Sequence, residues 1–180
     1  MAAIALKAEK KLLRKAMTTT LRDLSASHIQ EQSRALTARV LSLPSFIKSN
    51  SVSCYLSMPT GEIDTSFLVR EILRSGKTFG VWGIKEPDRS HNGQLRASAT
   101  DIGLDLILAP GLAFDRSLSR LGHGKGYYDR FITAYTENSR PAPLLVGLAL
   151  REQLLDSNAV PIGTHDWKMD WIVTDQESIQ

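Results

Sequence analysis

Leu104-Asp-Leu-Ile-Leu-Ala109 and Leu144-Leu-Val-Gly-Leu-Ala-Leu150 are two apolar, β-tolerant runs, and between them Arg120-Leu-Gly-His-Gly-Lys-Gly-Tyr-Tyr-Asp129 leads into a helical pattern over residues 127–135. Strands that are apolar throughout, rather than alternating, belong to parallel sheets covered on both faces. The same alternation extends upstream. Residues 52–58 read as a strand, 65–74 as a helix closed by Gly76, and 77–84 as a second strand. Downstream, residues 171–174 read as the last strand. Two helices precede all of these. The first keeps Leu13, Met17, Leu21 and Leu24 on one side, with Lys7, Lys10, Arg14 and Lys15 off that stripe and free to bind. The second shows Ile29, Ser33, Leu36, Val40 and Leu43 on one face, starts at a Ser27–Gln30 capping box and ends near Pro44. The expected architecture is a single α/β domain over residues 1–180. It is a Rossmann-like three-layer arrangement, a mostly parallel sheet with helices on both faces, preceded by two N-terminal helices within residues 1–50.

Composition narrows the class. With 180 residues, 42% hydrophobic and 23% charged, the chain can bury one core and is neither disordered nor a disulfide scaffold. Its apolar runs are too short for a membrane span. One cysteine, Cys54, and no signal-peptide pattern point to a reducing compartment, the cytosol, and the Lys-rich start, which contains Glu9, argues against a mitochondrial presequence. The net charge of +3 arises at the N-terminus, where residues 1–50 carry nine Lys and Arg against three Asp and Glu. Such a basic helix suits a phosphorylated ligand, a nucleic acid or a membrane surface. No nucleic-acid-binding motif accompanies it, and we expect neither nucleic acid nor membrane as a partner.

In open parallel sheets ligands bind beyond the carboxyl ends of the strands, and there the sequence carries its chemistry. Gly122, Gly124 and Gly126 remove side chains at alternate positions ahead of a helix, so backbone amides can approach an anion while Lys125 adds a charge. The stretch matches neither G-x-x-x-x-G-K-[ST] nor G-x-G-x-x-G. A flexible turn is the bland alternative. Asp129, in the first turn of that helix, is placed to hold Mg²⁺ against phosphate oxygens, or merely to favour the helix dipole. Asp166, in a loop before the final strand, could complete the metal's ligands or serve as a turn residue. Glu62, on a strand-to-helix loop, could pair with an amino group of a heterocycle. Trp82, in Trp-Gly-Ile-Lys-Glu-Pro87, offers an aromatic face or a core ring. No spacing supports zinc chemistry or serine hydrolysis.

Taken in order, several segments resemble the 5-formyltetrahydrofolate cyclo-ligase family: Lys10-Lys-Leu-Leu-Arg14, Tyr55-Leu-Ser-Met58 with Glu62, Trp82 to Pro87, Leu104 to Asp115, Arg120 to Asp129, and His165-Asp166 with Asp170. The resemblance runs almost end to end. It implies that Lys10, Lys11, Leu12, Leu13, Arg14, Arg120, Leu121, Gly122, His123, Gly124, Lys125, Gly126, Tyr127 and Tyr128 bind ATP. It implies that Leu56, Glu62, Trp82 and His123 to Tyr127 contact the folate, and that Asp129 and Asp166 hold Mg²⁺. Arg120, Lys125 and Tyr127 are then the catalytic candidates. The implied enzyme is a monomer that closes a ring between N5 and N10 of 5-formyltetrahydrofolate while ATP becomes ADP and phosphate.

The chain departs from the family pattern twice. Only Phe79, Gly80 and Val81 separate Thr78 from Trp82, where the family carries a further hairpin-like segment that forms part of the folate pocket. His123 stands where many relatives carry Arg, which replaces a fixed charge by one that titrates near neutrality. Two readings follow: an active cyclo-ligase, or a nucleotide-binding protein of the same fold whose turnover is impaired.

Overall fold

The structure is a computed structural model that describes residues 2–59, 61–81, 90–91, 94–95, 103–137 and 141–180. Helices α1 (Ala2–Arg22), α2 (Ala26–Ser42) and α3 (Pro44–Lys48) come first. Then follow β1 (Ser51–Cys54), α4 (Ser66–Arg74), β2 (Thr78–Val81) and a short antiparallel ribbon of β3 (Ser90–His91) and β4 (Gln94–Leu95). Next come β5 (Leu106–Ala109), β6 (Ala113–Asp115), β7 (Arg120–Leu121) and α5 (Tyr127–Glu137). The chain continues through β8 (Leu144–Leu148), β9 (Leu154–Leu155), β10 (Trp171–Val173) and β11 (Ser178–Ile179). The main sheet has the order β11-β10-β8-β5-β1-β2, parallel throughout except for β11.

The three expected layers are present. Leu106 and Leu108 of β5 face one side, where Leu36 and Val40 of α2, Phe46 of α3 and Leu68 and Ile72 of α4 cover them. Ile107 and Ala109 face the other, against Ile132 and Tyr135 of α5. This alternation on a strand apolar at every position is what a doubly covered parallel sheet requires. Thr78 to Val81 pair in register with Ser51 to Cys54 and complete the sheet edge. Among the described residues no helix is long and apolar enough to cross a membrane.

The structure corrects several local expectations. The cap of α2 is Ser25, whose hydroxyl accepts the His28 N–H, and not Ser27. Pro44 does not merely end the second helix; at the first turn it starts α3, where its missing N–H is harmless. The strand expected over 52–58 stops at Cys54, because Thr65 draws the following residues into a loop: its hydroxyl donates to the Tyr55 carbonyl and accepts the Ser57 N–H. The strand expected over 77–84 is seen as Thr78–Val81, and residues 82–84 lie outside the described residues. The strand at Trp171 is not the last, since β11 folds back antiparallel on it. A second sheet, β7-β6-β9, was not expected at all.

Candidate functional site

That second sheet positions the site. Met17 and Leu13 of α1 pack on Ala113, Leu121, Val160 and Leu155, so α1 is seated on the small sheet as well as reaching the main core through Leu21. Lys10 and Arg14 flank Leu13 by helical spacing. They are therefore not left free on the solvent face as expected, while Lys7 and Lys15 are exposed. Buried Asp115 shapes the β6–β7 turn: its Oδ1 accepts the N–H groups of Ser117 (2.9 Å) and Ser119 (3.0 Å), and its Oδ2 that of Val160 (3.0 Å). Leu118 takes a left-handed φ of 65° inside this turn. The chain reverses, and β7 delivers Arg120.

Lys10, Arg14, Arg120, Leu121, Gly122, Gly124, Gly126, Asp129 and Asp166 line one cavity of about 210 Å³. Arg120, with a side chain only 4% exposed, donates from Nη2 to both Asp129 oxygens at 3.2 and 3.1 Å, and from Nη1 to the Pro110 carbonyl. Its guanidinium also lies 5.3 Å from the Tyr128 ring centre. Lys10 is ion-paired to Asp166, whose Oδ2 also accepts the Gly163 N–H. Arg14 Nε donates to the Gly122 carbonyl at 2.8 Å. The glycine loop depends on its missing side chains: Gly124 has a φ of 93°, and a Cβ there would sit 3.3 Å from Arg14 Cζ.

Other expected residues fall elsewhere. Lys125 is exposed and without a hydrogen-bond partner among the described residues, and Tyr127 is 57% exposed, stacked by Arg130 at 5.4 Å. Lys11 and Leu12 lie on the solvent side of α1. Partial burial and the nearby Arg120 and Arg14 push His123 below the ordinary histidine value. Burial pushes the Tyr128 hydroxyl far up, and Arg120 opposes this. Glu62 is buried, its Oε1 accepts the Met58 N–H, and burial pushes its carboxyl up to about 7. Leu56, on the same loop, is exposed. Trp82 lies outside the described residues. Sequence reasoning missed Asp115 as the residue that aims Arg120, although its place between an apolar triplet and Arg-Ser-Leu-Ser was a turn signal.

The donor set suits a hard divalent cation. Asp129 and Asp166 supply carboxylate oxygens to one cavity, as Mg²⁺ takes when phosphates complete its shell. Among the described residues no group of three or more His, Cys, Asp or Glu could hold an ion alone. Any magnesium would need ligand oxygens as well.

Comparison with known proteins gives the same family that the sequence resembles. Residues 6–80 and 78–175 match the profile of the 5-formyltetrahydrofolate cyclo-ligase family, in two pieces that meet at β2. A Schizosaccharomyces pombe protein named for this family is 33% identical over 203 positions, covering 96% of this chain and 98% of its own. The alignment is longer than the 180 residues present here. The 5-formyltetrahydrofolate cyclo-ligase of Mus musculus is 30% identical, covering 96% of this chain and 97% of its own. The solution structure of Aquifex aeolicus 5,10-methenyltetrahydrofolate synthetase superposes with a TM-score of 0.75 at 29% identity, over 95% of this chain and 92% of that one. A basic helix, a glycine loop and two carboxylates meeting at one cavity, in a chain matched over nearly its whole length, make it a member of the 5-formyltetrahydrofolate cyclo-ligase family of ligases.

Proposed function

We propose that the chain converts 5-formyltetrahydrofolate to 5,10-methenyltetrahydrofolate with release of ADP and phosphate. The observation that carries this reading is the convergence of Lys10, Arg14 and Arg120 with Asp129 and Asp166 on one cavity. At about 210 Å³ the cavity suits a phosphate chain rather than a whole nucleotide, since pockets that bury entire small ligands run to ~300–1,000 Å³.

The chemistry requires a leaving group. Closing the ring expels the formyl oxygen, and hydroxide leaves poorly. The formyl oxygen therefore attacks the γ-phosphorus, the bond to ADP breaks, N10 attacks the activated carbon, and phosphate departs as N10 loses its proton. Asp129 and Asp166 would hold Mg²⁺, which would neutralise phosphate charge there. Lys10, Arg14 and Arg120 hold the phosphate chain, and Lys125 reaches from the glycine loop toward the transferred group. Tyr127 projects from the same loop end toward the folate. Glu62 and Leu56 receive the heterocycle. N10 belongs to the same molecule as the carbon it attacks, so orientation contributes more than any strong base.

The reading includes a cytosolic monomer in which buried Cys54 stays a thiol, and a stretch after Thr78 that its relatives carry and it lacks. No observation favours the impaired nucleotide-binding alternative. The test follows absorbance of the methenyl product with purified chain, 5-formyltetrahydrofolate, ATP and Mg²⁺, beside a control without ATP. ATP-dependent product supports the proposal. A folded chain that binds ATP and forms no product overturns it.

A further inference from the structure

We infer that Lys10 and Arg120 occupy the two metal-binding carboxylates in the free chain, so that a divalent cation gains Asp166 and Asp129 only when a nucleotide's phosphates draw these cations away. The inference rests on the proposed nucleotide site.

Both carboxylates already hold a cationic partner. Asp129 takes both its oxygens' bonds from Arg120, and its Oδ1 also accepts the Trp167 N–H at 3.2 Å. Asp166 takes Lys10 and the Gly163 N–H on the same oxygen. The pairs are largely shielded from water: the side chains of Lys10 and Asp166 are 15% and 22% exposed, those of Arg120 and Asp129 4% and 21%. The two ion pairs therefore cancel inside one cavity, and Arg14 leaves it with one positive charge in excess. A divalent cation entering alone would either sit against an ammonium and a guanidinium or leave them buried and unpaired, and both are unfavourable. A polyphosphate removes the conflict. Its oxygens accept from Lys10 and Arg120, the carboxylates turn to the metal, and every charge keeps a partner. Arg14 donates from Nε to the Gly122 carbonyl and leaves its remaining donors to the phosphates. By linkage the nucleotide raises metal affinity by the same factor as the metal raises nucleotide affinity.

Lys10 discriminates this from simple phosphate binding, since its removal should move the two affinities in opposite directions. The experiment titrates Mn²⁺ alone into the full chain, without nucleotide, and reads free Mn²⁺ by electron paramagnetic resonance. Circular dichroism verifies that each variant is folded. The wild-type chain should bind weakly, Lys10→Met at least tenfold more tightly, and Lys10→Met with Asp166→Asn should lose the gain. A separate titration with ADP and Mg²⁺ should show weaker nucleotide binding by Lys10→Met. Equal Mn²⁺ affinity in the wild-type chain and Lys10→Met, or a gain that survives Asp166→Asn, overturns the inference. Absence of ADP binding by the wild-type chain overturns the nucleotide site itself and is read independently of the Mn²⁺ result.

Discussion

Glu62→Gln should make the protein more stable at alkaline pH and leave it unchanged near pH 4.5. The Glu62 side chain is almost fully buried, accepts one backbone N–H from Met58, and has its carboxyl pushed from 4.5 up to about 7 by loss of hydration. Below 4.5 the group is protonated in both folded and unfolded chains and contributes no pH dependence. Between 4.5 and about 7 the unfolded chain releases the proton while the folded chain keeps it, so stability falls as pH rises and levels off above the folded value. Each pH unit of displacement corresponds to ~1.4 kcal/mol, which gives about 3 kcal/mol in all. Gln, neutral at every pH, escapes this loss. For a chain of this size ~1 kcal/mol moves Tm by ~2–4 °C, so at pH 8.5 Glu62→Gln should melt about 6–12 °C above the wild type. Calorimetry or urea unfolding of both proteins from pH 4.5 to 8.5 measures the difference directly. A difference that stays constant across that range would refute the claim that burial of this carboxyl weakens the fold. A residue that destabilises its own protein at neutral pH is the kind of cost that binding sites carry.

Lys125→Ala and Asp129→Ala should each abolish cyclisation in a chain that circular dichroism shows to be folded, with melting near wild type for Lys125→Ala and lowered for Asp129→Ala, which leaves the buried Arg120 unpaired; near-normal rates in either would refute the phosphate-site assignment. Gly147→Ala should destabilise by ~1–3 kcal/mol, because a Cβ there lies 2.9 Å from Phe114 Cδ1 and closer still to Cε1, and the ring is backed by Gly111 on its other side. Adding Phe114→Leu should recover part of the loss in urea unfolding, and a neutral Gly147→Ala would contradict the packing described. Tyr55→Phe should be neutral or stabilise by ~1 kcal/mol, since the buried Tyr55 hydroxyl has no hydrogen-bond partner among the described residues; a clear destabilisation would mean that it has one.

The main sheet was legible because Leu106–Ala109 and Leu144–Leu150 are apolar at every position, a pattern that survives without knowledge of neighbours. The small sheet was not. Strands of two or three residues such as Arg120–Leu121 and Leu154–Leu155 are too short to show a period, and only their pairing with Ala113–Asp115 makes them strands. Ser27, with Gln30 three residues on, fits the capping pattern, yet it is the Ser25 hydroxyl that receives the His28 N–H, which the pattern alone does not show. In the site, residue types named the glycine loop and both aspartates. The ion pair of Lys10 with Asp166 spans 156 positions and has no local signature.

The seating of α1 on the small sheet bears on how the protein is made. Synthesis runs from the N-terminus, so α1 leaves the ribosome first, yet the residues that receive Leu13 and Met17 extend to Val160 and the partner of Lys10 is Asp166. Its apolar stripe must wait while more than 140 further residues are added, at ~5–20 residues per second. A nascent chain thus cannot assemble the cavity piecemeal, and a truncated product, however well its early helices form, carries the basic residues without the carboxylates that balance them.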